Sequence, residues 1–186
     1  MSLPSVIALS GSLAAPSRTR RLVDQIAAAI GRARPAALRT YDLADIGPQI
    51  APLTARERIS AEVAAIYDAI ESADLLIVGS PIYKASYSGL LKHLLDLVQP
   101  TALAGVPVVL AATGGTDRHA LALDHQFRPL FSFFNALTVP TTVYAVEADI
   151  EKTGEIRNPD LGVRIARAVG EALGLLETRA LAPAAA

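Results

Sequence analysis

Apolar residues in this chain fall into two kinds of run. Val6–Leu9, Leu75–Val78 and Val106–Ala112 are unbroken, of strand length, and end at polar or glycine-marked loops. Between them, longer stretches repeat apolar residues at i, i+3 and i+4, the mark of a helix with one buried face. Read in order, the pattern predicts a strand at Val6–Leu9 and a helix from about Ser17, a plausible N-cap, to Ala33. Leu22, Val23, Ile26, Ala27 and Ile30 form the inner face of that helix. An edge strand follows at about Ala37–Leu43, its apolar character interrupted by Arg39, Thr40 and Asp42. Residues 44–59, with Gly47, Pro48 and Pro52, read as a long connection without a pattern of its own. A helix at Ser60–Ser72, a strand at Asp74–Val78, a helix at Ser88–Val98 and a strand at Val106–Ala112 come next. The last elements are a helix at Asp117–Asn135, a strand at Thr138–Val146 and a helix at Asp160–Leu176. Pro140 puts the start of the last strand at a sheet edge.

Strands alternating with helices call for an α/β fold, because each crossover must pack its helix back onto a parallel sheet. For five such units the expected arrangement is a three-layer sandwich around a five-stranded parallel sheet of order 2-1-3-4-5. Residues 1–178 are expected to form one domain and residues 179–186 a disordered tail.

Composition narrows the partners. Of the 186 residues 52% are hydrophobic and 19% charged, a globular balance, and the net charge of -1 offers no basic footprint for nucleic acid. With no cysteine, thiolate chemistry and Cys-based metal sites are excluded. His119 and His125 are six residues apart and on different helix faces, so no metal site is expected. No apolar run reaches the length of a membrane span and no leader pattern opens the chain, which reads as cytoplasmic.

In a 2-1-3-4-5 sheet, ligands bind outside the carboxyl ends of the strands, at the switch between strands one and three. The loop after strand one gathers Ser10, Ser12, Ser17 and Thr19 with Arg18, Arg20 and Arg21, at or just before a helix start. That end of a helix carries roughly half a positive charge, so arginines crowd there favourably only around an anion; Arg20 and Arg21 either join it or point into solvent. One glycine, and no Gly-Lys-Ser/Thr, rules out both the dinucleotide fingerprint and the P-loop. A monophosphate held by hydroxyls suits the loop better, which favours FMN over NAD as the seated ligand. The loop after strand three, Gly-Ser-Pro-Ile-Tyr-Lys-Ala-Ser-Tyr-Ser-Gly over 79–89, would face the flat ring. Tyr83 and Tyr87 pack on that ring, on a neighbouring subunit or on the core. Lys84 is placed to favour an anionic flavin or to bind the nucleotide's phosphates. Thr113-Gly114-Gly115-Thr116 ends strand four, where paired glycines allow close backbone approach. No Gly-x-Ser-x-Gly elbow accompanies the serines, and no catalytic side chain is assigned.

Pro129 lies inside the predicted helix 117–135 and cannot donate to the carbonyl of His125, so that helix should kink or widen into a π-type turn. The helix is apolar on most sides through Leu121, Leu123, Phe127, Leu130, Phe131, Phe133 and Phe134, which predicts homo-oligomerisation, a tetramer built from dimers.

Ser10-Gly-Ser followed by Pro16-Ser-Arg-Thr, the 79–89 motif with Leu90-Leu-Lys, and Ala112-Thr-Gly-Gly-Thr together resemble the NAD(P)H-dependent FMN reductases of the flavodoxin-like superfamily. More narrowly, the chain is similar to the flavin reductase partners of two-component alkanesulfonate and methanesulfonate monooxygenases. The resemblance covers residues 4–176. It implies that Ser10, Ser12, Ser17, Arg18 and Thr19 hold the flavin phosphate, that Pro81, Ile82, Tyr83 and Lys84 lie along the flavin, and that Thr113, Gly114 and Gly115 flank its ring. It also implies NADPH or NADH as reductant, a flavin that carries the hydride chemistry, and an FMNH2-dependent monooxygenase as recipient. A π-bulge at a subunit interface, with His125 at its marked position, belongs to the same resemblance. Two alternatives use the same loops: a reductase of quinones, azo dyes or metal oxyanions that retains its FMN, and a flavodoxin-type electron carrier, which the near-neutral charge disfavours.

Overall fold

The computed structural model describes residues 3–56 and 59–181. β1 (Ser5–Ser10), β2 (Ala37–Asp42), β3 (Leu75–Pro81) and β4 (Pro107–Gly114) form the parallel body of the sheet. The order is β2-β1-β3-β4-β5, as expected, with β6 also on β4. Alternation along the strands divides the core. Val6 and Ala8 of β1 face α1 (Arg18–Ala33) and α6 (Pro159–Leu181). Ile7 and Leu9 face the opposite layer, which holds α2 (Leu43–Ile50), α3 (Ala61–Glu71), α4 (Gly89–Asp96) and α5 (Arg128–Phe133). The helix starts read from serines are N-caps: Ser17 Oγ accepts from Arg20 N, Ser60 Oγ from Val63 N and Ser88 Oγ from Leu91 N.

Three expectations need correction. The connection 44–59 contains a helix, α2, capped by Asp42 and burying Leu43, Gly47 and Ile50 despite Pro48 within it. Eight residues with a Gly-Pro pair at their centre leave too short a periodic signal to detect. The fifth strand is two short strands, β5 (Leu137–Thr138) and β6 (Val143–Val146), so the sheet has six. Pro140 sits in the gap, and side chains satisfy the backbone there. Arg128 donates to the carbonyls of Val139 (2.8 Å) and Pro140 (2.6 Å), Arg164 to that of Thr142, and Thr141 N donates to Glu171 (2.7 Å). Burial opposes charge on Glu171, but hydrogen bonds from the Thr141 side chain and backbone, then Arg167, hold its carboxyl below the ordinary value. Finally, α6 runs through Leu181, so residues 179–181 are helical rather than a disordered tail; the rest of the expected tail, 182–186, lies outside the described residues.

The faulty helix is replaced by a 3-10 turn at Asp117–His119, a π-helix at Leu123–Phe127 and α5. Arg128 N reaches back five residues to Leu123 O, as the proline argument anticipated for this segment. Among the described residues no helix is long and apolar enough to cross a membrane.

Candidate functional site

Gly79 decides how close α1 comes to the sheet. A Cβ there would lie 2.4 Å from Val23 Cγ2, so only glycine lets the first turns of α1 rest on the carboxyl end of β3. That approach seats Thr19 against the end of β4, where the Thr19 and Thr113 hydroxyls share a buried 2.6 Å hydrogen bond. A cavity of about 250 Å³ opens beside this contact, outside the carboxyl ends of β1, β3, β4 and β6. Of the residues expected at the site, Ser12, Ser17, Arg18, Thr19, Pro81, Ile82, Tyr83, Thr113, Gly114 and Gly115 line it. Ser10 and Lys84 do not.

At the α1 end the donors converge. Ser12 Oγ accepts from Ala14 N (3.2 Å) and folds the loop back on itself, next to the cis Ala15–Pro16 bond. Because Ser17 caps the helix as an acceptor, its own O–H remains able to donate. Arg18 and Thr19 contribute first-turn N–H groups that have no carbonyl partner within the helix. Arg18 donates through Nη1 to Glu147 Oε1 at 2.8 Å, while its Nε is buried with no hydrogen-bond partner among the described residues. Ser10 is 1% exposed and its hydroxyl also lacks a partner; by alternation with Val6 and Ala8 it faces the α1 layer. The other two arginines turn away. Arg20 pairs with Asp24 (2.8 Å) and Asp42 (3.5 Å), and Arg21 with Asp24 and the Lys152 carbonyl. Partial burial works against the Arg20 charge, but Asp24 and then Asp42 raise its pKa overall.

The 79–89 loop is tied at its base and open at its tip. Ser80 Oγ accepts from Ser88 N (2.9 Å), Ser88 Oγ donates to Gly11 O (2.7 Å), and Ile82 N donates to Thr113 O (2.8 Å). Tyr83 and Ser86 exchange backbone hydrogen bonds around Lys84 (φ 50°) and Ala85 (φ 66°), a tight turn with two non-glycine residues in the left-handed region. Tyr83 stands 51% exposed at the cavity rim. Lys84 lies outside the cavity at the turn's exposed tip. Tyr87 meets the core alternative instead: its ring packs edge-on against Phe127 of the π-helix, centroids 5.2 Å apart, and Ser86 Oγ reaches Gln126.

The glycine pair proves unequal. A Cβ on Gly114 would fall 2.0 Å from the Tyr144 hydroxyl, which donates to Thr116 O (2.6 Å); on Gly115 it would meet nothing within 4 Å. Gly114 therefore makes room for Tyr144, and Gly115 presents bare backbone to the cavity. Burial, with Asp117 nearby, raises the Tyr144 pKa, keeping it a neutral donor.

Sequence reasoning missed the fourth wall, Val146, Glu147 and Lys152, together with Ala14 and Pro16. The wall follows β6, so its signal was the same as for the other loops: it leaves the carboxyl end of a strand beside β4. Asp149 fixes it, accepting from Val146 N and Asn158 Nδ2 (both 2.8 Å), and Gln25 of α1 donates to Gly154 O (2.9 Å). Among the described residues no group of three or more acidic, histidine or cysteine side chains is placed to hold a metal.

The arrangement suits a phosphate at one end and a flat group between two loops at the other, and the comparisons agree with that chemistry. The family model described as NADPH-dependent FMN reductase matches residues 4–151. An FMN reductase (NADPH) of Pseudomonas aeruginosa is 49% identical over 174 residues, 94% of this chain and 93% of that protein. The NADH-dependent FMN reductase SfnF of Pseudomonas fluorescens is 48% identical over 179 residues, covering 96% and 95%. Among solved structures, an oxidoreductase from Corynebacterium diphtheriae superposes with a TM-score of 0.83 at 35% identity, covering 95% of this chain and 99% of that one. The chain belongs to the NADPH-dependent FMN reductase family and is an NAD(P)H:FMN oxidoreductase.

Proposed function

We propose that this cavity holds FMN, with its phosphate at the amino end of α1, and that the reduced flavin leaves for an FMNH2-dependent monooxygenase of the kind that desulfonates organic sulfonates for sulfur acquisition. The observation that carries the reading is the donor set at the cavity: Ser17, the first-turn N–H groups and Arg18, whose buried Nε has no partner among the described residues, with Ser12 lining the same cavity. These are hydrogen-bond donors in a positive helix-end field, the chemistry a phosphate requires.

Bound FMN would supply the hydride acceptor. The chain's residues bind and orient: the α1 end fixes the phosphate, Pro81 to Tyr83 and Gly115 border the space for the ring, and Tyr83 stands at the rim toward the incoming nicotinamide. Lys84, on the exposed tip, is a candidate to meet the nucleotide's phosphates. The cytoplasm, where nicotinamide nucleotides are at hand, is the proposed site of action. Self-association, as a tetramer built from dimers, is read from the exposed Leu121 (63%) and Phe133 (65%), the latter beside an apolar cavity with Leu95, Val98 and Leu130.

Titrating FMN and riboflavin against the wild type and Arg18→Ala tests the phosphate end. Loss of one charge-assisted contact is expected to weaken FMN binding about tenfold or more and leave riboflavin unchanged. Equal FMN affinities in the two proteins would refute the assignment. Free FMN that saturates turnover with either nicotinamide, and exchanges between cycles, supports delivery to a partner; FMN that stays bound through turnover contradicts it.

A further inference from the structure

Arg18 is the cavity's one arginine among the described residues, and its guanidinium is already engaged by the chain itself. Nη1 donates to Glu147 Oε1 at 2.8 Å, and Glu147 lines the same cavity. A carboxylate thus already takes one donor of the guanidinium that the proposed phosphate would use, leaving Nε without a partner among the described residues. From this we infer that Glu147 is a positioning residue: it competes with the flavin phosphate for Arg18 and so keeps FMN affinity low enough for the flavin to leave. The inference rests on the proposed phosphate site.

Three features favour competition over simple support. The Glu147 side chain is 67% exposed and that of Arg18 27%, so the pair is a surface one that can open at little cost. The backbone carrying Glu147 cannot withdraw with it. Val146 N and Asn158 Nδ2 are fixed on Asp149, Arg157 N donates to Asp149 O (2.8 Å), and Arg21 and Gln25 hold the Lys152 and Gly154 carbonyls against α1. The carboxylate can yield only by rotating away, and it remains within reach of Arg18 to return when the phosphate departs. Finally, a phosphate seated here while Glu147 keeps its contact would set like charges side by side, with Lys152 as the other cation on that wall. A ligand without a phosphate, such as riboflavin, makes no claim on Arg18 and has nothing to displace.

Equilibrium titrations of the full chain with FMN and with riboflavin test the inference in four proteins: wild type, Glu147→Gln, Glu147→Ala and Arg18→Ala. Release of an exposed ion pair predicts FMN affinity about two- to fivefold higher in both Glu147 variants, with riboflavin affinity unchanged. Because the pair is exposed, the gain should shrink toward unity at about 0.5 M salt, which a purely structural effect would not do. Unchanged or weaker FMN binding in Glu147→Gln, or an equal gain for riboflavin, overturns the role of Glu147. If Arg18→Ala also leaves FMN binding unchanged, the phosphate site fails as well; if it weakens FMN alone, only the competition is lost.

Discussion

From the end of β1 to the first turn of α1, Ser10, Ser12, Ser17 and Thr19 are buried while residues 13–16 between them are exposed; across the cavity, Tyr83, Lys84 and Ala85 stand in solvent and two of them hold positive φ angles. Both loops leave carboxyl ends of neighbouring parallel strands, yet they are stabilised differently. The first is fixed by polar links to its own helix and to β4, with donor groups positioned before any ligand arrives. The second is pinned at its base by Ser80, Ser88 and Ile82, and its tip leans on the π-helix through Tyr87 and Ser86. A fixed end suits an unvarying group such as a phosphate. An open end suits two flat rings that must meet and separate, the task of the proposed reading.

The comparison can be broken first at Gly79. Gly79→Ala places a methyl group against Val23 and should cost about 3 kcal/mol, lowering the denaturation midpoint and opening the Thr19–Thr113 contact; a midpoint equal to wild type would mean that α1 is not seated as described. Ser88→Ala comes next, because this hydroxyl both caps α4 and satisfies Gly11 O, linking the two loops. A loss of about 2 kcal/mol is expected in chemical denaturation, and a loss below about 0.5 kcal/mol would show that the loops are independent. The smallest effect has the opposite sign. Ala85→Gly relieves a left-handed residue and should stabilise by about 0.5–1 kcal/mol, net of the glycine's greater unfolded freedom; a destabilised variant would deny that the tip is strained.

Much of this was legible because local chemistry and fold agree. Ser17, Ser60 and Ser88 announce helix starts and serve as caps, the apolar run at 75–78 lies within β3, and all but the first residue of the run at 106–112 lies within β4. The π-turn could be anticipated because proline's missing donor acts locally. What could not be read depends on partners distant in sequence. Nothing around Val139–Thr142 says that Arg128, Arg164 and Glu171 will replace a sheet ladder. Nothing near Gly114 says that a tyrosine thirty residues on needs its missing side chain. Arg20 and Arg21 stand in the same sequence cluster as Arg18, and only the positions of Asp24, Asp42 and Lys152 separate them from it. Glu147 was invisible for the same reason.

The break between β5 and β6 bears on how copies of this protein can meet. An unpaired outer strand normally offers a row of free backbone groups to which another sheet can add. Here that margin is divided by a proline, and the carbonyls of Val139, Pro140 and Thr142 are already held by arginines. The opposite margin, β2, carries an exposed arginine, Arg39, in its middle. Neither rim favours continuous pairing, so the proposed self-association would fall to helical surfaces, where side chains rather than backbone select the partner.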